Sequence, residues 1–349
     1  MAYTTINKPS DYFNTKLYTG NGSTNAITGV GFQPDWCWIK SRSNPGTYGH
    51  ELYDSIRGVR KLLQTNTSGA EFTVPSTSFE SFDSDGFTVQ LSDNYGRGVN
   101  ENNGLYVAWN WLAGGTASSN TDGSITSTVS ANTTSGFSIV TYTSTTGTVG
   151  HGLGVTPKVV LMKARNLADQ RTMGHASLPS WTYGISGMPG SGVQDSNATF
   201  WNSTAPTSTV FSQGSWDNGY NKVAYCFAEI KGFSKFGSYV GNGSTDGTFI
   251  YTGFKPSFIM TKCTTTDNGS TVWGMFDNKR IGYNSNNYRV FASNSNAEDT
   301  TANEIDILSN GFKCRSTSST HNLSGQTFIY MAFAENPLVT STKLPATAR

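Results

Sequence analysis

Apolar residues along this chain occur in short runs rather than in long periodic stretches. The runs at 36–39 (WCWI), 159–162 (VVLM) and 328–333 (FIYMAF) lie between segments rich in Gly, Asn, Ser and Thr. A strand that is buried on both faces has this appearance, because it needs apolar side chains on both. A helical period is present only at 55–63, so we expect at most one or two helical turns per repeat. The pattern predicts an all-β fold.

One apolar pattern occurs three times. Each copy reads glycine, an apolar residue, any residue and proline, followed by a strand-like run that ends in lysine; the copies are GFQPDWCWIK at 31–40, GVTPKVVLMK at 154–163 and GFKPSFIMTK at 253–262. Each copy closes with an aromatic-rich strand, whose aligned aromatic lies 77, 70 and 77 residues after the shared proline. Six positions are therefore predicted as structural anchors of the repeat. They are Pro34, Pro157, Pro256, Trp111, Phe227 and Phe333.

The first and third copies agree elsewhere as well. YTGNGST at 18–24 matches YVGNGST at 239–245, and SDGF at 84–87 matches SNGF at 309–312. Asn-Gly and Asp-Gly are strong turn signals, because they accept positive φ at little steric cost. We therefore predict three tandem divergent β-sandwich modules of the jelly-roll or lectin-like type.

The repeats divide the chain into six predicted segments. They are an N-terminal arm at 1–9, a first sandwich at 10–114, a Gly/Ser/Thr-rich linker at 115–134, a second sandwich at 135–232, a third at 233–337 and a C-terminal tail at 338–349. The linker could add an edge strand through 123–129.

Composition narrows the classes of partner. Lys plus Arg is 24 and Asp plus Glu is 23, a net charge of +1 without charged blocks, so no nucleic-acid partner is predicted. The longest apolar runs are far below the roughly 20 residues of a membrane helix, so no membrane insertion is predicted. The four cysteines are far apart and are expected to be reduced thiols. Neither they nor the four scattered histidines have the spacing of a metal site, and no metal or cofactor is predicted.

Glu304 and Asp306 form the strongest candidate for catalysis. Strand alternation places both on one face about 7 Å apart, as in the Glu-x-Asp-x-x-Glu strand of glucanases with a concanavalin-like sandwich. The third carboxylate of that pattern would fall at Ser309. A retaining glycosidase needs both a nucleophile and a proton donor, so no catalytic residue is predicted.

Two further sets of residues have both a structural and a functional interpretation. Asp54 with Arg57, and Asp277 with Arg280, could clamp a ligand or fix a turn; their duplication favours the turn. The segment 181–216 carries aromatics among Gly, Ser, Asn and Asp, which could stack on sugars or pack the loop onto its own sheet. The candidate ligand-binding residues there are Trp181, Tyr183, Trp201 and Trp216.

The motifs YTGNGST, GFQPDWCWIK, SFDSDGFTV, YVAWNW and FIYMAFAENP resemble those of virion structural and tail fibre proteins of marine and cyanobacterial phages, which carry repeated β-rich domains of unknown function. The likeness covers about 12–337. It implies a non-enzymatic structural protein located in the virion, with other virion proteins and host cell-surface polysaccharide as partners and a homotrimeric assembly like that of phage fibres. Two alternatives stay open, a capsid decoration or head fibre protein and a cell-surface glycan hydrolase.

Overall fold

The structure, a computed structural model of the chain, describes residues 4–43, 48–75, 78–90, 98–188, 192–266, 272–280, 284, 288–301 and 303–337. Within these residues the regular structure is antiparallel strand, apart from a 3-10 turn at Pro9–Asp11 and a four-residue helix α1 at Ala198–Trp201. The strands form six sheets, which pack as a large and a small sheet in three successive stretches of the chain. The all-β sandwich fold predicted from the sequence is confirmed.

The first sheet pair has a six-stranded and a three-stranded sheet. Its strands are β1 (Phe13–Thr19), β2 (Asn25–Thr28), β3 (Trp36–Ser41), β4 (His50–Asp54), β5 (Lys61–Gln64), β6 (Phe72–Thr73), β7 (Phe79–Asp83), β8 (Gly86–Val89) and β9 (Leu105–Trp111). The large sheet has the order β1-β9-β3-β4-β5-β6 and the small sheet β2-β8-β7. Ile27 and Phe87 of the small sheet pack on Ile39 and Tyr53 of the large sheet.

The second sheet pair has an eight-stranded and a two-stranded sheet. Its strands are β10 (Ser118–Asn120), β11 (Ser127–Asn132), β12 (Phe137–Thr143), β13 (Gly147–Gly150), β14 (Val159–Ala164), β15 (Thr172–His175), β16 (Tyr183–Ser186), β17 (Gln194–Ser196), β18 (Val210–Gln213) and β19 (Asn221–Phe227). The large sheet has the order β10-β11-β12-β19-β14-β15-β16-β17, and β13 pairs with β18. Val149 and Phe211 pack on Val140 and Val160.

The third sheet pair has a five-stranded and a three-stranded sheet. Its strands are β20 (Ser234–Val240), β21 (Phe249–Tyr251), β22 (Phe254–Cys263), β23 (Gly274–Asp277), β24 (Val290–Phe291), β25 (Ile305–Leu308), β26 (Gly311–Cys314) and β27 (Thr327–Pro337). The orders are β20-β27-β22-β23-β24 and β21-β26-β25. Ile250 and Phe312 pack on Ile259 and Phe276.

The three large sheets have four strands in the same order, which are β1-β9-β3-β4, β12-β19-β14-β15 and β20-β27-β22-β23. Their registers also match at the second and third strands. Trp36 pairs with Trp111, Val159 with Phe227, and Phe258 with Phe333. These pairs define equivalent positions, which we use below to compare the sheet pairs.

The predicted proline anchors are all buried, but they do not have the same setting. Pro34 and Pro157 each precede a strand by two residues, whereas Pro256 lies within β22 at a β-bulge. A bulge tolerates proline because it interrupts the hydrogen-bond ladder locally.

The faces of the large sheets that point away from the small sheets share one inner core. The three predicted aromatic anchors meet there: ring centroids lie 6.4 Å apart for Trp111 and Phe227, 5.6 Å for Trp111 and Phe333, and 5.9 Å for Phe227 and Phe333. Each anchor is at most 2% exposed. Each sandwich therefore has its own outer core, and all three also depend on a common one.

Three segments extend the sequence-based prediction. The predicted linker 115–134 contains β10 and β11, and residues 128–132 of β11 pair with 137–141, so the edge strand expected at 123–129 forms at 127–132 and extends the second large sheet. The stretch 55–63 contains a turn, in which Gly58 N–H donates to the carbonyl oxygen of Asp54 at 3.1 Å, and then runs into β5, where Leu63 pairs with Leu52; this stays within the expected limit of one or two helical turns. In the N-terminal arm Ile6 is 1% exposed and packs in the inner core.

The predicted tail 338–349 lies outside the described residues. The four cysteines, Cys37, Cys226, Cys263 and Cys314, are buried free thiols, as predicted.

Candidate functional site

The two Asp–Arg pairs adopt the same buried geometry. Arg57 donates from Nε to Asp54 Oδ2 and from its backbone N–H to Oδ1 at 2.8 Å, and Nη2 donates to Leu52 O at 3.0 Å. Arg280 donates to Asp277 at 2.7 Å and 3.0 Å in the same pattern. All four side chains are 0% exposed. Because solvent does not reach them, they cannot clamp a ligand from solution, and the geometry favours the turn-fixing interpretation.

Each of these aspartates also accepts a hydrogen bond from another sheet pair. The Tyr225 hydroxyl of the second pair donates to Asp54 Oδ2 at 2.7 Å, and Trp109 Nε1 of the first pair donates to Asp277 Oδ2 at 3.1 Å. We call such a contact between sheet pairs a joint.

The third joint has a histidine in place of the aspartate. Val159 pairs with His175 as Trp36 pairs with Asp54, so His175 occupies the equivalent position. Its Nε2 lies 3.3 Å from the carbonyl oxygen of Tyr330 in the third pair. Burial lowers the pKa of His175 to about 4, so the ring is neutral at pH 7. The three joints link first to second, second to third and third to first sheet pair, and thus close a ring.

A second layer of contacts reinforces two joints with carboxylates. Glu71 of the first pair bonds Arg165 of the second at 2.8 and 2.9 Å and Arg57 at 3.2 Å. Glu298 of the third pair bonds Arg42 of the first at 2.9 Å and Arg280 at 3.2 Å. Burial raises the pKa of Glu71, but the two guanidinium groups more than offset it, so this pKa lies below its ordinary value.

Backbone bonds accompany these ion pairs at all three joints. The N–H groups of Glu71, Gln194 and Glu298 donate to the carbonyl oxygens of Arg165, Thr264 and Arg42, at 2.6, 3.1 and 3.0 Å. The second-to-third joint therefore keeps the backbone contact although it lacks the Glu–Arg pair. Sequence reasoning missed this network, because its partners are distant along the chain and most of them lie just outside the strands.

The candidate carboxylates Glu304 and Asp306 have different partners. Glu304 is 6% exposed, forms an ion pair with Arg289 and lies 2.8 Å from His321 Nε2. Burial raises the pKa of Glu304 and lowers that of His321 to about 3. Asp306 pairs instead with Arg315 at 3.2 Å near the surface. Each carboxylate is thus engaged by a cation of its own, Arg289 for Glu304 and Arg315 for Asp306.

The four aromatics of segment 181–216 are used in packing. Trp201 is 0% exposed in the second outer core and contacts Trp181 edge to face, with centroids 5.5 Å apart. Trp216 contacts Phe200 of α1 at 5.0 Å, and Tyr183 packs against the inner core. Trp181, Tyr183 and Trp216 are half-buried. The structure brings Trp181 and Trp201 together, but the four rings do not form one exposed platform.

A different pair of aromatics is exposed, on the small sheet of the third pair. Phe249 and Tyr251 of β21 are 44% and 56% exposed and point to the same side of the strand. Phe249 lies opposite Lys313 and Tyr251 opposite Gly311 of β26, and Asp306 follows Lys313 across the sheet. We call these five residues the outer aromatic face. The signal in the sequence is the alternation Phe-Ile-Tyr at 249–251, which no repeat or motif marks.

Several cavities lie among the described residues, and one of them is an open hollow of about 350 Å³ beside Asn14, Lys16 and Lys279. An enclosed apolar cavity of about 10 Å³ lies in the inner core between Trp36, Trp111 and Phe227, and it has room for no more than one water. An open polar hollow of about 340 Å³ lies beside Thr128 and Thr141. Within the described part of the chain no group of three or more His, Cys, Asp or Glu residues could hold a metal ion. None of its helices has the length and apolarity to span a bilayer.

Fold and joints together define an all-β protein whose sandwiches share an inner core. A family model, described as a domain of unknown function (DUF7483), matches residues 8–337, and the chain belongs to this family. No curated protein and no solved structure matches the chain. This match spans all three sheet pairs.

Proposed function

We propose that this chain is a non-enzymatic structural protein of a phage virion, a tail fibre or other adhesion component that displays β-sandwiches towards host surface glycans. The observation that carries the proposal is the joint network. Four of the buried charged residues, Asp54, Arg57, Asp277 and Arg280, are committed to each other and to neighbouring sheet pairs. Such a network favours a rigid, permanent scaffold.

The motifs that resemble phage virion proteins also have structural roles, which supports the same proposal. In YTGNGST the backbone N–H of Asn21 bonds Asn100 Oδ1 at 3.0 Å, and in YVGNGST Asn242 bonds Asn322 Oδ1 in the same way at 3.0 Å. Asn100 and Asn322 are 0% exposed. A motif that holds two loops together is typical of a scaffold, since it needs no ligand.

Location on the particle tests the proposal directly. Antibodies raised against the purified protein are applied to gradient-purified particles from the phage or prophage that encodes the chain, and immunogold labels are located by electron microscopy. We expect labels on the tail or its fibres. Labels on the capsid would assign the protein to head decoration, and unlabelled particles that also lack the protein by mass spectrometry would overturn the proposal.

Absence of catalysis needs its own experiment. The protein is incubated with polysaccharide from the host surface, and reducing ends are measured over time. We expect no release above the rate of a heat-denatured sample. Release by the wild-type protein that is lost in the Glu304→Gln/Asp306→Asn variant would replace the structural proposal with a glycan hydrolase.

The homotrimer predicted from the sequence is part of the proposal. The three joints are closed within one chain, so a trimer would be built through surfaces outside them. Light scattering on the eluting protein gives the assembly directly. Three chain masses are expected, and a single chain mass at micromolar concentration would contradict the trimer while leaving the virion location to the labelling experiment.

A further inference from the structure

The small sheets of the first and third pairs have the same register, which allows their surfaces to be compared position by position. Ile250 of β21 pairs with Phe312 of β26, and Ile27 of β2 pairs with Phe87 of β8. All four side chains are at most 5% exposed and fill equivalent places in their outer cores. The residues on either side of each isoleucine therefore occupy equivalent positions on the outer surface.

Only the third pair has aromatics at these positions. Phe249 and Tyr251 stand where the first pair has Ala26 and Thr28, which are also exposed. Since the first pair builds the same sheet with small side chains, the fold does not require the rings. Two adjacent aromatic side chains that are about half exposed have an unfavourable contact with water, which a ligand that covers the rings would remove.

The surroundings of the rings are flat and polar. Gly311 lies opposite Tyr251, and a Cβ at Gly311 would be 2.0 Å from the carbonyl oxygen of Ile250, so close backbone contact requires a glycine here, as it does at the equivalent Gly86. The ring of Phe249 lies beside this glycine, which adds no side chain to the surface. Lys313 forms an ion pair with Asp246. Asp306 is paired to Arg315 at 3.2 Å. The rim thus has two cations and two anions, each positioned by its partner and each partly exposed.

We propose that the outer aromatic face binds a neutral glycan chain. The ring faces of Phe249 and Tyr251 stack on the apolar C–H faces of sugar residues, and the charged side chains at the rim exchange hydrogen bonds with sugar hydroxyls. Alternate residues of a strand lie about 7 Å apart, so the two rings can contact separate sugars of one chain. The proposal deepens the attachment role above and rests on it for its place in the virion, but not for the binding itself.

Charge and size distinguish a glycan from other occupants. A nucleic acid stacks on aromatics within a cationic groove, whereas the cations and anions of this rim balance. A stable protein interface buries about 800 Å² on each partner, with its anchors in packed pockets. Two exposed rings are far smaller than such a patch.

Affinity electrophoresis tests the proposal on the intact chain. Native gels are cast with neutral polysaccharides (galactomannan, hydroxyethylcellulose, laminarin or dextran) or with anionic ones (alginate or dextran sulfate). The variant Phe249→Ala/Tyr251→Thr carries the residues that the first pair has at these positions, so it should fold normally. Leu105→Ala is the matched control, because Leu105 is 42% exposed on the first sheet pair.

We expect at least one neutral polysaccharide to retard the wild-type protein and Leu105→Ala alike. The double variant should bind about tenfold more weakly or worse, as is usual when central aromatic contacts are removed. Grafting Ala26→Phe and Thr28→Tyr onto the double variant should restore part of the retardation if stacking is the main contribution. A graft without effect would show that the charged rim is also needed. The variant Asp306→Asn then tests the rim, because it should weaken the retardation of a protein that keeps Phe249 and Tyr251.

Two retardation results would overturn the glycan site: equal retardation of the wild type and the double variant, or no retardation by any neutral polysaccharide. A change of assembly mass in the double variant would also overturn it, because the face would then be an interface between chains. Particle labelling separates these results from the proposed function. Labelled particles with no glycan binding remove only this site, and glycan binding by a protein absent from particles removes only the virion role.

Discussion

The Tyr225 hydroxyl donates a 2.7 Å hydrogen bond to Asp54 Oδ2 across the joint between the second and first sheet pairs. The two residues are 171 positions apart in the chain, and both are at most 2% exposed. The ring of Tyr225 also stacks on Trp36 with centroids 4.3 Å apart. One side chain thus contributes apolar contact to the inner core and a polar contact to the joint.

Removing this hydroxyl should weaken the joint without disturbing the core. Tyr225→Phe keeps the stacked ring but leaves an oxygen of the buried Asp54 carboxylate with one donor fewer. Hydrogen bonds to charged groups contribute about 1.5–3 kcal/mol, so we expect a loss of about 2 kcal/mol in the free energy of unfolding, measured by urea denaturation.

Tyr18→Phe is the control for this measurement. The Tyr18 hydroxyl donates at 2.7 Å to the neutral carbonyl oxygen of Val99, within the first sheet pair, and its removal should cost about 1 kcal/mol. An unchanged stability of Tyr225→Phe, or a loss no larger than that of Tyr18→Phe, would show that the joint bond contributes no more than a hydrogen bond to a neutral carbonyl oxygen.

The shared inner core should make the three sheet pairs unfold together. Trp111 contacts both Phe227 and Phe333, so it touches all three large sheets. Trp111→Ala should cost about 3–5 kcal/mol, as for other large aromatics in a core. By calorimetry we expect one transition, shifted as a whole by the substitution, with equal calorimetric and van't Hoff enthalpies.

Independent sheet pairs would behave differently. They would give two or three transitions, of which Trp111→Ala would lower only one. Leu105→Ala, at an exposed position of the same strand β9, should leave the transition within about 0.5 kcal/mol.

The sequence allowed the strands to be predicted but not the joints, for a physical reason. Short apolar runs and Asn-Gly turns are local patterns, and local patterns determine which residues form strands. The joints connect residues that are distant in the chain. The Asp–Arg spacing repeats at 54–57 and 277–280, but no local pattern shows that Tyr225 and Trp109 donate to these aspartates, and the second pair has His175 at the equivalent position.

Local periodicity described only part of one segment. The stretch 55–63 has a helical period, yet Leu63 pairs with Leu52 in the sheet. Helical propensity over so few residues is weak, and tertiary pairing overrides it. For the candidate site, the sequence identified aromatics that the structure uses for packing, because residue type alone does not tell an exposed ring from a buried one.

The aromatics of segment 181–216 should respond to substitution according to their burial. Trp201 is fully buried in the second outer core, so Trp201→Ala should cost about 3–5 kcal/mol in unfolding free energy. Trp181→Ala, at the half-buried neighbour, should cost less. Retardation by neutral polysaccharide in Trp181→Ala should equal that of the wild type. A selective loss of retardation in this variant would restore the segment as a glycan contact.

Stability should fall when the pH is lowered below neutrality, because of His175. Its pKa is about 4 in the folded chain, against about 6.5 in an unfolded one. Between these values the unfolded state binds more protons, so the free energy of unfolding falls as the pH drops from about 6.5 towards 4. The full effect is on the order of 3 kcal/mol, at about 1.4 kcal/mol for each pH unit.

The contribution of His175 can be isolated with His175→Asn, which cannot be protonated in this range. Urea unfolding at pH 7, 6.5, 6, 5.5 and 5 stays above the range in which Glu71 and other carboxylates of lowered pKa become protonated. His50, His151 and His321, whose pKa values burial also lowers, add slopes of the same sign in both proteins, and Asp217, whose pKa burial raises to about 6, adds a slope of the opposite sign in both. The slope of the unfolding free energy against pH should therefore be shallower in the variant by up to the slope that one proton contributes, about 1.4 kcal/mol per pH unit. Parallel slopes would mean that His175 is not held neutral at the joint, and that the second-to-third joint tolerates a charge next to the carbonyl oxygen of Tyr330.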